Sequence, residues 1–315
     1  MPLPILFDTD IGSDVDDALA LGLILASPEL ELVAVTTVAH DTRLRARIAA
    51  RLLALAGRTG VDVCAGEAAP LLRPMETTFG WWGHEALCAG AEPHALSAEP
   101  APERIVRAAR ETAGLELVAV GPLTNLARAL ALDAELPRRV RGLTVMGGHF
   151  RRVAVGERVC EPGVDYNLCS DREASVCVLG AGFRTTLVSA DVTLQTWLRA
   201  ADLARLGAAG PVARELAAQV RLWTPVQHRI FVDSLGGTLE PDNVAFLHDP
   251  LTVLALVDER PLGFEELRVV TTIERGVLRT FEVDPGAGLG APTRVATRVD
   301  ASAARDRIVE RLLRQ

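Results

Sequence analysis

The chain has 315 residues, 49% of them hydrophobic, with a formal net charge of −8 and a pI near 5.4, a balance that supports a large core and argues against a basic nucleic-acid or anionic-membrane surface. All 33 basic residues are arginine, so a P-loop phosphate cradle, a Schiff-base mechanism and a pyridoxal enzyme, each needing a lysine amine, are excluded. No apolar stretch reaches membrane-spanning length, the first strand-like run begins within three residues of Met1, and the five cysteines (Cys64, Cys88, Cys160, Cys169, Cys177) contain no CxxC pair, all of which points to a cytoplasmic protein with reduced thiols.

In chain order, residues 3–7 read as a strand, 16–26 as a helix, 30–38 as a strand, 44–56 as an arginine-faced helix stopping at Gly57, and 61–65 as a third strand. After a loop-like stretch over 68–99 come a helix at 103–113, a strand at 115–120, a helix at 123–132, a strand at 143–146, a helix at 172–179 and a strand at 183–189. Residues 192–231 read as mostly helical, and a further helix opens at Pro250. Residues 267–273, 276–283 and 293–299 resemble short antiparallel strands before a last amphipathic helix at 301–313.

This alternation predicts an α/β fold: an open, mostly parallel, mixed Rossmann-like sheet with helices on both faces and a short antiparallel C-terminal addition. No linker or repeat interrupts it, so residues 1–315 are expected to form one domain. Ligands in such sheets bind beyond the carboxyl ends of the strands. The polar clusters at 8–17, 121–125 and 147–149, and the His40-Asp41 pair, all follow predicted strands.

The cluster at 8–17 holds five aspartates: Asp8, Asp10, Asp14, Asp16 and Asp17. Two carboxylates about 4 Å apart repel by roughly 1 kcal/mol even at the dielectric of water, so a fold that gathers several needs a cation, and oxygen ligands favour Ca²⁺ or Mg²⁺. Asp16 and Asp17 at a helix start also fit a capping role, which leaves the other three unexplained. A phosphatase of the haloacid dehalogenase type would use Asp8 and Asp10, but Ile11-Gly12 and the lack of lysine count against it.

The segment Asp8-Thr9-Asp10-Ile11-Gly12-Ser13-Asp14-Val15-Asp16-Asp17-Ala18 resembles the signature of the inosine-uridine-preferring nucleoside hydrolase family, Asp-x-Asp-x-Gly-x-Asp-Asp-Ala, with Ser13-Asp14-Val15 where the usual spacing has one residue. Four further segments extend the resemblance: Val120-Gly121-Pro122-Leu123-Thr124-Asn125-Leu126, Met146-Gly147-Gly148, Asp165-Tyr166-Asn167 with Ser170-Asp171-Arg172-Glu173-Ala174, and Phe246-Leu247-His248-Asp249-Pro250-Leu251. The chain departs from the family pattern at His40-Asp41, where Gly-Asn is usual, and at Asp165, where glutamate is usual. An asparagine normally found before the sugar loop also has no counterpart among Arg158, Val159, Cys160 and Glu161.

The resemblance implies a calcium-dependent ribonucleoside hydrolase. Asp10, Asp17, the Thr124 carbonyl and Asp249 would hold Ca²⁺, Asp10 would deprotonate water, and His248 would face the leaving base. Asp16, Asp165 and Asn167 would bind the sugar of a nucleoside substrate, with His84 in Trp81-Trp82-Gly83-His84 reaching the base. Base preference would depend on that loop and on the helix near residues 223–228. The family tends to form homodimers or homotetramers. The altered Asp165 and the missing asparagine leave open a metal-binding relative that binds or hydrolyses a different ribosyl compound.

Overall fold

The apolar runs form strands and the amphipathic runs form helices in a computed structural model that describes residues 1–72, 95–234 and 236–315. The strands are β1 (Leu3–Thr9), β2 (Leu30–Thr37), β3 (Asp62–Ala65), β4 (Glu116–Ala119), β5 (Gly142–Met146), β6 (Val153–Val155), β7 (Arg158–Cys160), β8 (Thr185–Val188), β9 (Trp197–Arg199), β10 (Asn243–Phe246), β11 (Leu262–Glu274), β12 (Val277–Val283) and β13 (Ala291–Val299). The helices are α1 (Asp16–Leu25), α2 (Thr42–Leu55), α3 (Ala101–Glu111), α4 (Thr124–Leu132), α5 (Leu136–Arg139), α6 (Tyr166–Ser170), α7 (Arg172–Leu179), α8 (Ala190–Thr193), α9 (Ala200–Gly207), α10 (Pro211–His228), α11 (His248–Val257) and α12 (Ala301–Leu312).

Nine strands form one sheet in the order β12-β11-β13-β8-β5-β4-β1-β2-β3. From β13 to β3 every pairing is parallel, whereas β11 pairs antiparallel with both β12 and β13. The C-terminal strands therefore extend the main sheet through β13–β8 and do not make a separate layer. One apolar layer packs α1, α2, α10, α11 and α12 on one face of the sheet; a second packs α3, α4 and α7 on the other. α1 is buried along nearly its whole length, as a helix enclosed by the sheet and by other helices must be.

The stretch 192–231 is less helical than its sequence suggests: β9 interrupts it and pairs antiparallel with β10. A three-residue strand is too short to leave a period in the sequence. α10 carries Pro225 in its interior and gives way to a π-helical turn at Arg229–Ser234. The β6–β7 hairpin likewise had no expected counterpart.

Parallel pairing sets the ends of β1, β2, β4, β5 and β8 along one edge, and Asn125 ties β1, β2 and the loop after β3 together there. Its amide nitrogen donates to Asp8 Oδ1 at 2.7 Å and to the Thr37 carbonyl at 3.0 Å, and its carbonyl accepts from the Glu67 N–H at 2.9 Å. Asp8 Oδ1 also accepts from Thr36 Oγ1 at 2.5 Å, while burial pushes the Asp8 carboxyl up to about 7. Asn125→Ala removes three hydrogen bonds that join separate segments and leaves the Glu67 N–H without its partner, so it is expected to lower stability by about 2 kcal/mol. Equilibrium denaturation with guanidinium measures this loss, and an unchanged midpoint would show that the node is dispensable.

Candidate active site

A cavity of about 640 Å³ opens at the carboxyl edge of the sheet, and Asp10, Asp14, Asp16, Asp17, Asp165, Asn167, His248 and Asp249 all line it. These residues come from the loop after β1, the first turn of α1, the entry to α6 and the first turn of α11. Because α1 packs against α11, the starts of the two helices converge, and their partial positive ends favour negative charge there.

One carboxylate oxygen from each of Asp16, Asp17 and Asp249 lies within 4.8 Å of the other two, and all three residues are buried. The N-cap position of α1 is Val15, with no side-chain cap, so Asp16 and Asp17 do not serve as caps. Burial, followed by repulsion among the carboxylates, holds Asp16, Asp17 and Asp249 well above the usual carboxylate range. Burial raises Asp10 as well and pushes Asp14 up to about 8. Asp16, expected on the sugar, thus stands within the tightest acidic trio; Asp10, expected on the metal, lines the same cavity beside it.

Arg45 lowers the proton affinity of Asp10 and Asp17, yet its guanidinium is held by other atoms. It donates to the Ala39 carbonyl at 2.7 Å, the Ile11 carbonyl at 2.9 Å and Ser13 Oγ at 2.7 Å. Those bonds fix the aspartate loop against a turn in which Ala39 and His40 both adopt positive φ, 66° and 57°, a conformation that side chains disfavour. The sequence did contain a signal for this residue: Arg45 lies on the apolar stripe of α2 with Ile48, Ala49 and Leu52, an unusual place for an arginine unless it is paired.

A buried, oxygen-only set of this kind fits a hard divalent cation. Three carboxylates share one spot, and the nearby guanidinium is already used by two carbonyls and a hydroxyl. Close packing shapes the set further. A Cβ added to Gly121 would stand 2.7 Å from Asp10 Oδ1 and 3.0 Å from the Asp10 nitrogen, so only glycine lets the loop after β4 pass this carboxylate.

Thr124 sits differently from the other expected ligands. As the first residue of α4 it donates through its hydroxyl to Asp171 at 2.7 Å, and it lines a smaller neighbouring cavity of about 240 Å³ that Asp10 and His40 share. Asp171 also caps α7 and accepts from the Leu71 N–H. Trp81, Trp82 and His84 lie outside the described residues.

On the sugar side, Asp165 caps α6 through Leu168 N at 3.0 Å and accepts from Gly148 N at 2.9 Å. Each of its oxygens therefore already holds one backbone group, and burial raises its carboxyl. The Asn167 amide nitrogen donates to the Val120 carbonyl at 2.7 Å, so its own carbonyl oxygen is what it can offer a ligand. His248 Nδ1 pairs with Thr193 Oγ1 at 2.8 Å and its ring packs on Phe246 with centroids 5.3 Å apart. Burial pushes this imidazole down to about 4; at neutral pH it is uncharged, so what it can offer a ligand is a hydrogen bond. The far wall is apolar and was not foreseen in detail. Trp223, Ile230 and Phe231 from the end of α10 and its π-turn, with Val155 and Val159 of the hairpin, line it; His228 is exposed.

Cation binding must displace protons from the raised carboxyls, since only carboxylates ligate. Metal affinity is therefore expected to increase as pH rises above the ordinary carboxylate range, because these carboxyls are raised, and to collapse in acid. Calorimetry in buffers of differing ionisation enthalpy would show net proton release at pH 7. A pH-independent affinity would contradict the acidic set as ligands.

Residues 5–306 match the family model described as inosine-uridine preferring nucleoside hydrolase. The pyrimidine-specific ribonucleoside hydrolase RihA of Citrobacter koseri is 33% identical over 285 residues, covering 88% of this chain and 84% of that one; the RihA of Salmonella newport is 32% identical over the same coverage. Among solved structures, a plant nucleoside hydrolase, PpNRh1, superposes with a TM-score of 0.81 at 26% identity over 100% of both chains. A purine-preferring ribonucleoside hydrolase from Gardnerella vaginalis gives a TM-score of 0.80 at 22% identity over 98% of both, a likeness of fold.

Proposed function

The chain belongs to the inosine-uridine preferring nucleoside hydrolase family and cleaves the N-glycosidic bond of ribonucleosides; from that premise we propose that it does so with Ca²⁺ held by the acidic trio at the start of α1 and α11. The observation that carries this reading is the convergence of Asp16, Asp17 and Asp249 within 4.8 Å in a buried cavity. Asp17 and Asp249 are the principal ligands, Asp16 and Asp10 adjoin them, and the Thr124 carbonyl would supply a further oxygen. When bound, the ion orients water and sugar hydroxyls and makes that water more acidic.

The remaining steps belong to the protein. Asp10, its carboxylate held against Gly121, accepts the proton of the attacking water as the water oxygen bonds to C1′. The C1′–N bond breaks through an oxocarbenium-like state, and hydroxyl contacts to Asp165, to the Asn167 carbonyl and to Asp16 strengthen as positive charge grows on the ring. His248, aligned by Thr193, offers a hydrogen bond to the departing base. The aromatic and aliphatic wall from Trp223 to Phe231 supports a base held mainly by stacking and exclusion of water, and this wall also supports residues 223–231 as determinants of base preference. His84 is proposed as a second contact to the base.

The described cysteines are free thiols, which supports a reducing, cytoplasmic setting; among the described residues no helix is long and apolar enough to cross a membrane. Assembly as a homodimer or homotetramer is proposed from the family resemblance and is read by light scattering.

A panel of purine and pyrimidine nucleosides assayed for free base and ribose tests the chemistry. Release is expected with Ca²⁺, to vanish with chelator and to return on re-addition. Asp10→Ala should lower kcat by on the order of 10² to 10⁴. Gly121→Ala, which presses on Asp10, should lower kcat with a smaller effect on KM. Full turnover in the presence of chelator would refute the metal assignment, and wild-type-like kcat in Asp10→Ala would refute its role as base.

A further inference from the structure

Beyond the end of β5 lies a stretch of cavity wall that the chemistry above does not use. His149 is 3% exposed, lines the cavity, and its Nε2 has no hydrogen-bond partner. Its backbone is fixed, because its N–H donates to Thr280 Oγ1 at 3.1 Å and its carbonyl accepts from the Gly163 N–H at 2.7 Å. Arg279, the neighbour of Thr280 on β12, lays its guanidinium over that same glycine. A Cβ on Gly163 would stand 3.4 Å from Arg279 Nη1, and φ there is +111°, so the glycine leaves room for the cation. Arg279 also lines the cavity, and its ion pair with Glu274 is loose at 3.6 Å.

His149, through its backbone carbonyl, and Arg279, through its guanidinium, thus both stand against Gly163, and both line the cavity. The acidic neighbours are otherwise engaged: both Asp165 oxygens hold backbone N–H groups, and Glu161 pairs with Arg152 at 3.0 Å. A wall that presents a guanidinium and an imidazole nitrogen without a partner suits an oxyanion. Its position suits one end of a sugar. β5 stands two strands from β1 in the sheet, about 10 Å at ordinary strand spacing, so His149 lies to the β5 side of the aspartates, the side taken here for the sugar's exocyclic carbon.

We propose that His149 and Arg279 form a subsite for an oxyanion carried on the exocyclic carbon, and that the chain hydrolyses nucleoside 5′-monophosphates as well as nucleosides. This rests on the reading of the cavity as a ribonucleoside hydrolase site. The reaction is unchanged: water oxygen bonds to C1′, the C1′–N bond breaks, one water proton finishes on the base, and the phosphate stays on the released sugar.

The test pairs turnover with binding in the intact, calcium-loaded chain. kcat/KM is measured for uridine and inosine and for their 5′-monophosphates, and ribose and ribose 5-phosphate are titrated calorimetrically. The phosphate is expected to raise kcat/KM and sugar affinity by about tenfold each. Arg279→Gln should remove both gains while nucleoside turnover stays within about twofold, and Arg279→Lys should restore part of them, since a single charge replaces a forked donor. His149→Ala should weaken ribose 5-phosphate binding more than ribose binding. Nucleoside hydrolysis with no nucleotide hydrolysis and equal affinity for the two sugars would overturn the subsite and leave the nucleoside reading intact. Preferential binding of ribose 5-phosphate, lost in Arg279→Gln, without hydrolysis of any nucleoside would uphold the subsite and overturn that reading.

Discussion

The whole active edge depends on the mutual repulsion of buried carboxylates. Asp10, Asp14, Asp16, Asp17 and Asp249 crowd one cavity, and each is raised above its ordinary range by burial, with neighbouring acids adding to the rise at four of them. Charges arranged so are tolerated only where something offsets them. The protein offers partial measures: two helix starts, a hydroxyl from Thr9 to Asp17, and Arg45 at a remove. None of these neutralises the set, which is why the cavity reads as a cation site and not as an ordinary polar cleft.

The frame around this repulsion is stiff. The sheet sets the spacing of the loops, Asn125 fastens the ends of β1 and β2 and the loop after β3 to α4, and Arg45 clamps the aspartate loop to the turn at Ala39 and His40. Gly121 allows the next loop to press on Asp10. Such preorganisation matters for hydrolysis, because carboxylates fixed before the sugar arrives need not rearrange as charge develops.

Much of this was legible in the chain. The strands β1, β2, β4, β5 and β8 and the helices between them follow hydrophobic period closely, and the placement of Asp10, Asp16, Asp17, Asp165, Asn167, His248 and Asp249 around one cavity follows from their positions after those strands and at helix starts. What was not legible is tertiary. β6, β7 and β9 have three residues each, too few to carry a period. That Thr124 turns its hydroxyl toward Asp171, or that Asp165 is engaged by Gly148 and Leu168, depends on contacts between distant segments. Arg45 carried a sequence signal in its place on an apolar stripe; His149 carried only its position after two glycines, and its orphaned nitrogen could be seen only in three dimensions.

The far wall of the cavity, from the hairpin at β6–β7 and the π-turn after α10, has a different standing from its acidic floor. The two pieces of wall meet at Gly156 and Thr238, with Glu157 N donating to Thr238 Oγ1 at 2.9 Å, while the floor is fastened to the sheet through Asn125 and Arg45. The cavity therefore combines an acidic floor fastened to the sheet with an apolar facing, part of it packed into the core through Trp223 and Val226 and part carried on the hairpin. On the proposed reading, in which this facing meets the base, exchanging the short hairpin would alter which aglycone is accepted while the acidic floor stays in place.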